Sequence, residues 1–235
     1  MPAITSYFII DGNGHTIGGN NKFRIFKLDG GKLTISNLHM RDGSAQQGSA
    51  ISVVAGGRLH ISDSTFENCS ADSGTIFIRY GTLHINRSNF LSTTADRGGA
   101  IYNAAAGEII VSNSRLEYNT ARRGGAIYHY VGKGVIANST LRYNQASEYG
   151  GAIHSTSAGL QISRSVLSQN GGGVFAKHGR LVVSESDFNS NVSQMGPGIY
   201  LQESGAMVID TDFAANSGVV SDEQIYGVES DIRYY

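Results

Sequence analysis

The apolar positions of this chain recur in a column with a period of roughly 25 residues. Successive members are almost evenly spaced, apart from one shorter step between Ile153 and Val174. The members are Ile51, Ile76, Ile101, Ile127, Ile153, Val174, Ile199 and Ile225. Self-similarity at this period indicates a solenoid, in which each repeat is one coil that covers the apolar side of the next.

Three further columns follow the aliphatic one at nearly constant offsets. Fourteen or fifteen residues later stand Phe66, Phe90, Leu116, Leu141, Leu167, Phe188 and Phe213. Two residues before these stand Ser64, Ser88, Ser114, Ser139, Ser165, Ser186 and Thr211, and three residues after them stand Cys69, Thr93, Asn119, Asn144, Asn170, Asn191 and Asn216. We expect the apolar columns to face the core. Because Asn tolerates a left-handed backbone and its amide can bond the next coil, the Asn column should hold a corner.

Short alternating segments such as Leu59-His60-Ile61 and Leu83-His84-Ile85 lie between the columns and are typical of strands. The sequence therefore predicts an all-β fold, a single-stranded right-handed parallel β-helix of about nine coils with roughly 25 residues per coil. Residues 1–235 should form one domain. The segment Val228 to Tyr235 has lost the repeat and is predicted to cap the C-terminal end.

Composition and charge narrow the functional classes. The chain has 31 Gly and 2 Pro, charged residues make up 16%, and the net charge is −1. Its basic residues are scattered, which argues against a nucleic-acid partner. The one cysteine, Cys69, cannot form an internal disulfide and is predicted to be a small buried residue. No apolar run is long enough to span a bilayer, so we expect no membrane insertion by this chain.

The repeat resembles that of a known family. Gly-Gly-Ala-Ile occurs at 98–101, 124–127 and 150–153 and alternates with Phe-x-x-Asn. This pattern is similar to the repeats of the polymorphic outer membrane proteins, and the opening Ile10-Asp11-Gly12-Asn13-Gly14 resembles the first coil of β-helix proteins of the pectate-lyase-like class. The resemblance implies secretion or display at the cell surface, with the signal peptide absent from this chain. The same scaffold serves adhesins and polysaccharide enzymes, so the resemblance leaves the activity open.

The residue after each aliphatic one should point outward, because strand side chains alternate between the two faces of a sheet. These residues are Phe77, Tyr102, Tyr128, His154, Phe175, Tyr200 and Tyr226. An exposed stripe of rings would stack on sugars or anchor a protein. The alternatives are a reversed register, or a loop that covers the rings as a secondary core. Arg97 and Arg123 stand at equivalent places before the Gly pairs and are predicted to form a small anion site beside the rings, unless they are simply solvated.

Two other groups of residues are candidates for chemistry. Asp187, Asp210 and Asp212 should lie on one side of neighbouring coils, where carboxylates can serve as acid and base in glycoside cleavage or bind calcium, or can be plain surface acids. His60 and His84 should stack in successive coils. Because no third ligand stands at a fixed spacing, a surface pair is favoured over a metal site.

These observations favour a non-catalytic binding or adhesion module for a polysaccharide or a host or cell-surface protein. The ligand-binding residues would be the aromatic column with Arg97 and Arg123, and no cofactor is expected, with calcium as the alternative. Two other functions stay open. The chain would be a polysaccharide lyase or glycosidase if the aspartates are catalytic, or a passive spacer if the columns serve only for stacking. Uncapped ends are edge strands, so the chain should be a monomer or an end-to-end dimer.

Overall fold

A computed structural model describes residues 3–194, 196–218 and 224–234, and in these residues every regular element is a β-strand. Each coil contributes up to four strands, here called the first to fourth positions of the coil. The coil after Ile76, for example, contains Ile76–Arg79, Thr82–Asn86, Asn89–Leu91 and Thr94–Arg97 in that order. Every named strand pairing is parallel and joins equivalent positions of neighbouring coils. The right-handed parallel β-helix of about nine coils is thus confirmed.

The strand bounds show how the four positions continue along the solenoid. Strands of the first position are Phe26–Asp29, Ile51–Val54, Ile76–Arg79, Ile101–Ala105, Val174–Lys177, Ile199–Gln202 and Ile225–Val228. Strands of the second position are Tyr7–Asp11, Lys32–Ser36, Arg58–Ser62, Thr82–Asn86, Gly107–Ser112, Arg180–Ser184, Gly205–Ile209 and Asp231–Tyr234. Ile127–Ala137 and Ile153–Ser163 each run through both positions, which joins all of these strands into one 17-stranded sheet.

The third and fourth positions form separate sheets. Strands of the third position are Thr16–Gly18, His39–Arg41, Thr65–Glu67, Asn89–Leu91, Arg115–Glu117, Thr140–Arg142, Val166–Ser168, Asp187–Asn189 and Asp212–Ala214. Strands of the fourth position are Ser44–Gln47, Ser70–Ser73, Thr94–Arg97, Thr120–Arg123 and Gln145–Tyr149, and, in a separate two-stranded sheet, Val192–Ser193 and Ser217–Gly218. The sheet of fourth-position strands is therefore interrupted within the described solenoid, between Gln145–Tyr149 and Val192–Ser193.

The apolar columns form the core, as predicted. The aliphatic column stacks in register, and its members from Ile51 to Ile199 are buried. The Phe/Leu column is also buried from Phe66 to Phe188 in the successive third-position strands, where the rings of Phe66 and Phe90 are parallel with centroids 4.5 Å apart. Because parallel strands lie about 4.8 Å apart, equivalent side chains meet between coils and each coil buries the apolar face of its neighbour.

The Ser and Asn columns form two hydrogen-bonded ladders. In the Ser ladder, the backbone N–H of Ser88 donates to Ser114 Oγ at 3.1 Å, and Ser88 Oγ donates to the Asn86 carbonyl. In the Asn ladder, Asn119 donates its backbone N–H and its Nδ2 to Asn144 Oδ1 at 3.0 and 2.9 Å. Cys69 extends this column, and burial raises the pKa of its thiol to about 11. The ladders satisfy backbone groups that the corners would otherwise leave unpaired.

The ladder Asn residues fasten the corner but do not themselves take the left-handed conformation that Asn tolerates. The residue before each ladder position takes it instead, for example Tyr118 with φ 58° and Tyr143 with φ 57°. The residue before each Ser of the other ladder does the same, as in Asn113 with φ 51°. The left-handed residue turns the chain, and the buried Asn that follows fastens the turn to the next coil.

Another left-handed corner precedes the second strand position and gives a prediction about stability. Val131 takes φ 55° there, whereas Ala55 and Ala106 occupy equivalent corners. A β-branched residue is strained at positive φ, so Val131→Asn is expected to raise the free energy of unfolding by about 1 kcal/mol. Urea denaturation of the two proteins measures the difference. Val135→Asn is the matched control and should lower stability, because Val135 pairs in register within the regular part of its strand. A Val131→Asn protein less stable than the wild type would contradict the account.

The two ends of the solenoid differ from its middle. Tyr7, Phe8 and Ile9 lie in the first described strand of the second position and are 59%, 51% and 63% exposed. At the other end, Asp231–Tyr234 pairs with Gly205–Ile209, so part of the predicted cap continues the sheet. The capping role and end-to-end association remain predictions. No helix in the described residues could cross a membrane.

Candidate ligand-binding site

The aromatic column predicted from the sequence is present in register. Phe77 pairs with Tyr102, Tyr102 with Tyr128, and the pairing continues to Tyr226. Consecutive ring centroids lie 4.6 to 5.6 Å apart. The column points away from the core, between the first-position strands and the fourth-position strands. The seven rings form one continuous column there, and each ring is tilted or edge-to-face against the next.

The expectation that this column is exposed is wrong for its first five members. Phe77, Tyr102, Tyr128, His154 and Phe175 are 2% to 7% exposed, while Tyr200 and Tyr226 are half-buried. The fourth-position strands bring other side chains against the rings, since Arg97 Nη1 lies 3.5 Å from Tyr102 Oη and the Tyr149 ring stacks on Phe175 at 4.7 Å. The first five rings are therefore a secondary core, the alternative that the sequence left open.

A close approach of the backbone at the Gly-Gly corners holds the two sheets together over these rings. Gly124 has φ 63°, and a Cβ there would lie 2.1 Å from the Ile127 carbonyl oxygen. Only glycine fits such a corner, where the chain turns sharply from the fourth-position strand into the next first-position strand. The repeated Gly-Gly pairs thus set the angle between the strands that carry the rings and the strands that cover them.

An ion-pair network lies across the covering strands. Arg122 donates from Nε to Asp96 Oδ1 at 2.7 Å and from Nη1 to Glu148 Oε1 at 2.6 Å, and Arg123 also binds Glu148. Hydrogen bonds from Arg122 and then Arg123 lower the pKa of Glu148, and Arg122 likewise lowers that of Asp96. The Arg97 Nε atom lies 3.6 Å from Asp96 Oδ2. Both residues of the predicted anion site, Arg97 and Arg123, therefore have carboxylate partners.

The short coil opens a notch in this cover. Between the ladder residue Asn170 and the aliphatic Val174 the chain has only Gly171-Gly172-Gly173, where the preceding coils place a whole strand. The five-stranded sheet ends at Gln145–Tyr149, and the next fourth-position strand is Val192–Ser193. The missing strand leaves a depression of about 640 Å³. Its lining is Gln145, Ala146, Ser147, Glu148, Tyr149, Gly171, Val192, Ser193, Gln194 and Tyr200.

Aromatic and polar groups meet in the notch. Tyr149 is 42% exposed, and its ring centroid lies 4.7 Å from that of Phe175 and 5.9 Å from that of Tyr200. Gln145, Glu148 and Gln194 supply amide and carboxylate groups around these rings. Of the lining residues, only Tyr200 belongs to the set predicted as ligand-binding. The signal for the others was the shortened step of the aliphatic column with its three glycines, because a shortened coil must omit a strand.

The acidic candidates are only partly brought together. Asp187 and Asp212 pair directly in neighbouring third-position strands, and Asp210 lies at a left-handed corner with φ 43°. All three are exposed. In the part of the chain that the structure describes, no three His, Cys, Asp or Glu side chains are grouped so that they could hold a metal ion. The aspartates thus form a solvated carboxylate pair with a third carboxylate nearby in sequence.

The histidines fall into two environments. His60 and His84 are neighbours in successive coils, as predicted, with tilted rings whose centroids lie 4.7 Å apart. Partial burial, followed by the charge of His84, lowers the pKa of His60. His129 and His154 are buried in consecutive coils, His129 facing the core and His154 in the aromatic column. Burial lowers the pKa of His129 to about 4 and that of His154 to about 3. One ring nitrogen of each, His129 Nε2 and His154 Nδ1, has no hydrogen-bond partner.

Glycines at neighbouring positions make room for the polar side chains within the core. Asn103 donates from Nδ2 to the Gly107 carbonyl at 2.9 Å and lies 3.0 Å from His129 Nδ1. A Cβ at Gly107 would lie 2.3 Å from Asn103 Oδ1, and a Cβ at Gly134 would lie 3.2 Å from His129 Nε2. Gly134 pairs with Ile109 in one neighbouring coil and with Leu160 in the other, so it stands where those coils have an aliphatic side chain. His129 fills the volume that this missing side chain leaves.

No protein-family model matches the chain, and no curated protein matches it. Among solved structures, the chain is similar to the GH136 lacto-N-biosidase from Eubacterium ramulus, with 11% sequence identity and a TM-score of 0.26. The match covers 97% of this chain and 56% of that chain, so this chain spans little more than half the length of that protein. No residue role is transferred from that enzyme.

Proposed function

We propose that this chain is a non-catalytic binding module for a carbohydrate, and that the notch left by the short coil is its binding site. The observation that carries the proposal is the pair of the exposed Tyr149 and the half-buried Tyr200, set in a depression where the cover of the aromatic column is interrupted. The cover keeps the rings from Phe77 to His154 from solvent. At the notch, a ligand can reach the same column of rings from outside.

The chemistry of the lining favours a sugar over a purely apolar ligand. Aromatic rings pack on the C–H faces of pyranose rings, while amides and carboxylates bind their hydroxyl groups, and a site with both kinds of group suits an amphipathic ring. The side-chain amides of Gln145 and Gln194 line the notch and can donate and accept hydrogen bonds. Glu148 is held by Arg122 and Arg123, which keeps its carboxylate ionised and fixed in position.

Secretion or surface display is part of the proposal and is supported by the Gly-Gly-Ala-Ile and Phe-x-x-Asn repeats, which resemble those of the polymorphic outer membrane proteins. A rod of stacked coils with one lateral site suits a module that holds a ligand away from its point of attachment. Calcium is not required by the geometry of the notch, since its lining contains a single carboxylate.

The test is a glycan-array assay followed by titration of any hit with the wild type and two variants. Tyr149→Ala combined with Tyr200→Ala is expected to weaken binding at least tenfold, because each lost ring contact contributes on the order of 1 kcal/mol or more. Tyr118→Ala is the matched control: Tyr118 is 52% exposed and stacks on Tyr143 at 4.8 Å, away from the notch. That variant should bind like the wild type.

Three results would contradict the proposal. Equal loss in the Tyr118 control would show that binding does not depend on the notch. Unchanged binding in the double variant would move the site elsewhere. If the double variant does lose binding, Tyr149→Phe with Tyr200→Phe, which keeps the rings, separates the effect of the rings from that of the hydroxyl groups. Release of reducing sugar from a bound glycan would overturn the non-catalytic assignment and direct attention to Asp187 and Asp212.

A further inference from the structure

A second depression lies at the opposite end of the aromatic column. The column position before Phe77 is occupied by Ser52, and the position before that by Lys27. Because Ser52 has no ring, the surface is hollowed out there to about 580 Å³. The hollow is lined by Arg24, Lys27, Asp29, Gln47, Ser52, Val54, Ala55, Arg79 and Tyr80. With three cations and one carboxylate, this lining is positively charged.

The cations of this hollow are poorly neutralised. Lys27 pairs with Asp29 at 3.3 Å, but within the described part of the chain neither Arg24 nor Arg79 has a carboxylate partner. The Arg24 guanidinium is half-buried and donates to backbone oxygens, from Nε to Gly48 O at 3.0 Å and from Nη2 to Gln47 O at 2.8 Å. These bonds fix its orientation without compensating its charge. Burial lowers the pKa of Arg24, the direction expected for a cation without a counter-ion.

A partly desolvated guanidinium without a counter-ion stabilises a bound anion more than an exposed one does, since its field is less screened by water. We propose that Arg24, Lys27 and Arg79 form a binding site for an oxyanion, with Arg79 lying over the Tyr80 ring at the rim. A carboxylate, sulfate or phosphate group has the acceptor geometry that two guanidiniums and an ammonium group can surround.

The position of this site suggests what carries the anion. Ser52 and Phe175 are five strand spacings apart along the same column, which is about 25 Å. An acidic oligosaccharide that reaches this far would place sugar rings in the notch and a carboxylate or sulfate in the basic hollow. This extension rests on the carbohydrate-binding function proposed above, whereas the oxyanion site itself does not.

The oxyanion site is tested by calorimetric titration of sodium sulfate into the purified chain at low ionic strength, with sodium chloride as the reference titration. One sulfate per chain should bind. Lys27→Gln combined with Arg79→Gln should weaken binding at least fivefold, since hydrogen bonds to charged groups are lost. Arg115→Gln is the matched control, because Arg115 is exposed and forms no ion pair with a carboxylate of the described residues. Absence of sulfate binding, or an equal loss in the control, would overturn the site.

The glycan extension is tested by comparing a uronate oligosaccharide with a neutral one of equal length. The acidic ligand should bind more tightly, lose its advantage as salt screens the cations, and lose it also in Lys27→Gln with Arg79→Gln. Neutral and acidic glycans binding equally well would overturn the extension and leave the notch as a site. Sulfate binding with no glycan binding at all would support the oxyanion site while contradicting the proposed function.

Discussion

Asn144→Ala is expected to lower the free energy of unfolding by about 5 kcal/mol. Asn144 is fully buried, and its side chain serves both neighbouring coils. Its Oδ1 accepts from Asn119 N and Nδ2 at 3.0 and 2.9 Å, while its Nδ2 donates to Leu116 O at 2.9 Å and to Asn170 Oδ1 at 3.0 Å. Alanine leaves two buried donors and a carbonyl unpaired, at about 1 to 3 kcal/mol each, in a corner too crowded for water to replace the amide.

Equilibrium denaturation in guanidinium chloride measures the loss. Cys69→Ala is the matched control in the same column: the Cys69 sulfur makes weak contacts such as that with Glu67 O at 3.5 Å, so its loss should lower stability by about 1 kcal/mol. A change below about 1 kcal/mol for Asn144→Ala would mean that the ladder contributes little net free energy. Comparable losses in the two variants would mean that the removed volume matters more than the hydrogen bonds.

Acid is expected to destabilise the folded chain well before its carboxylates are protonated. His129 and His154 are buried, with folded pKa values of about 4 and about 3 against 6.5 for an ordinary histidine. Between these limits the unfolded chain binds a proton at each histidine and the folded chain does not, so the free energy of unfolding falls as the pH falls below 6.5. Lowering the pH from 7 to 5 should therefore reduce the free energy of unfolding by about 4 kcal/mol through these two histidines together.

The charged groups near His154 do not remove this effect. Burial is the main cause of the low pKa, Arg123 and Lys177 add to it, and Glu148, which would favour the imidazolium, is already paired with two arginines. The loss of stability should therefore be complete once the pH has fallen through about 3. Above pH 6.5 both histidines are neutral in the folded and the unfolded chain, and their contribution no longer changes with pH.

Urea denaturation at pH 7 and pH 5 measures the acid effect, and His154→Phe is the informative variant. Phe77 and Phe175 occupy the same column, so phenylalanine fits the stack, and about half of the pH dependence should disappear. His178→Gln is the control, because His178 is exposed and pairs with Glu203. A wild-type stability that is equal at the two pH values would show that the buried rings find a proton-accepting environment on folding, contrary to the geometry.

Most of the fold could be predicted from the sequence because its columns are made by stacking. Ile101 must pair with Ile76 and Ile127 if each coil is to bury the next, and the sequence period gives this register directly. The left-handed residue of each corner could not be identified from the sequence. The ladder Asn and the residue before it are both polar or small in several coils, so the pattern alone does not separate the residue that turns the chain from the residue that fastens it.

The site was harder to predict because exposure depends on strands with almost no apolar pattern. Ser44–Gln47 and Ser70–Ser73 form part of the covering sheet, yet their sequences alternate no apolar residues. Register indicated correctly that the Tyr102 and Tyr128 rings are neighbours, but not that arginine side chains from the fourth-position strands lie against them. The buried Asn103 and His129 depend on the missing side chains of Gly107 and Gly134, a compensation visible only when neighbouring coils are aligned.

The short coil also shows how such a rod tolerates change in length. The first three strand positions pass through the short coil, residues 153–173, without losing register, although four or five residues are missing from the fourth position. Insertions and deletions at this one corner of a coil are therefore absorbed locally and are not passed on to later coils. The segment between the Asn ladder and the aliphatic column is the natural place to graft a foreign loop, and each of the coils offers such a place at a different height along the rod.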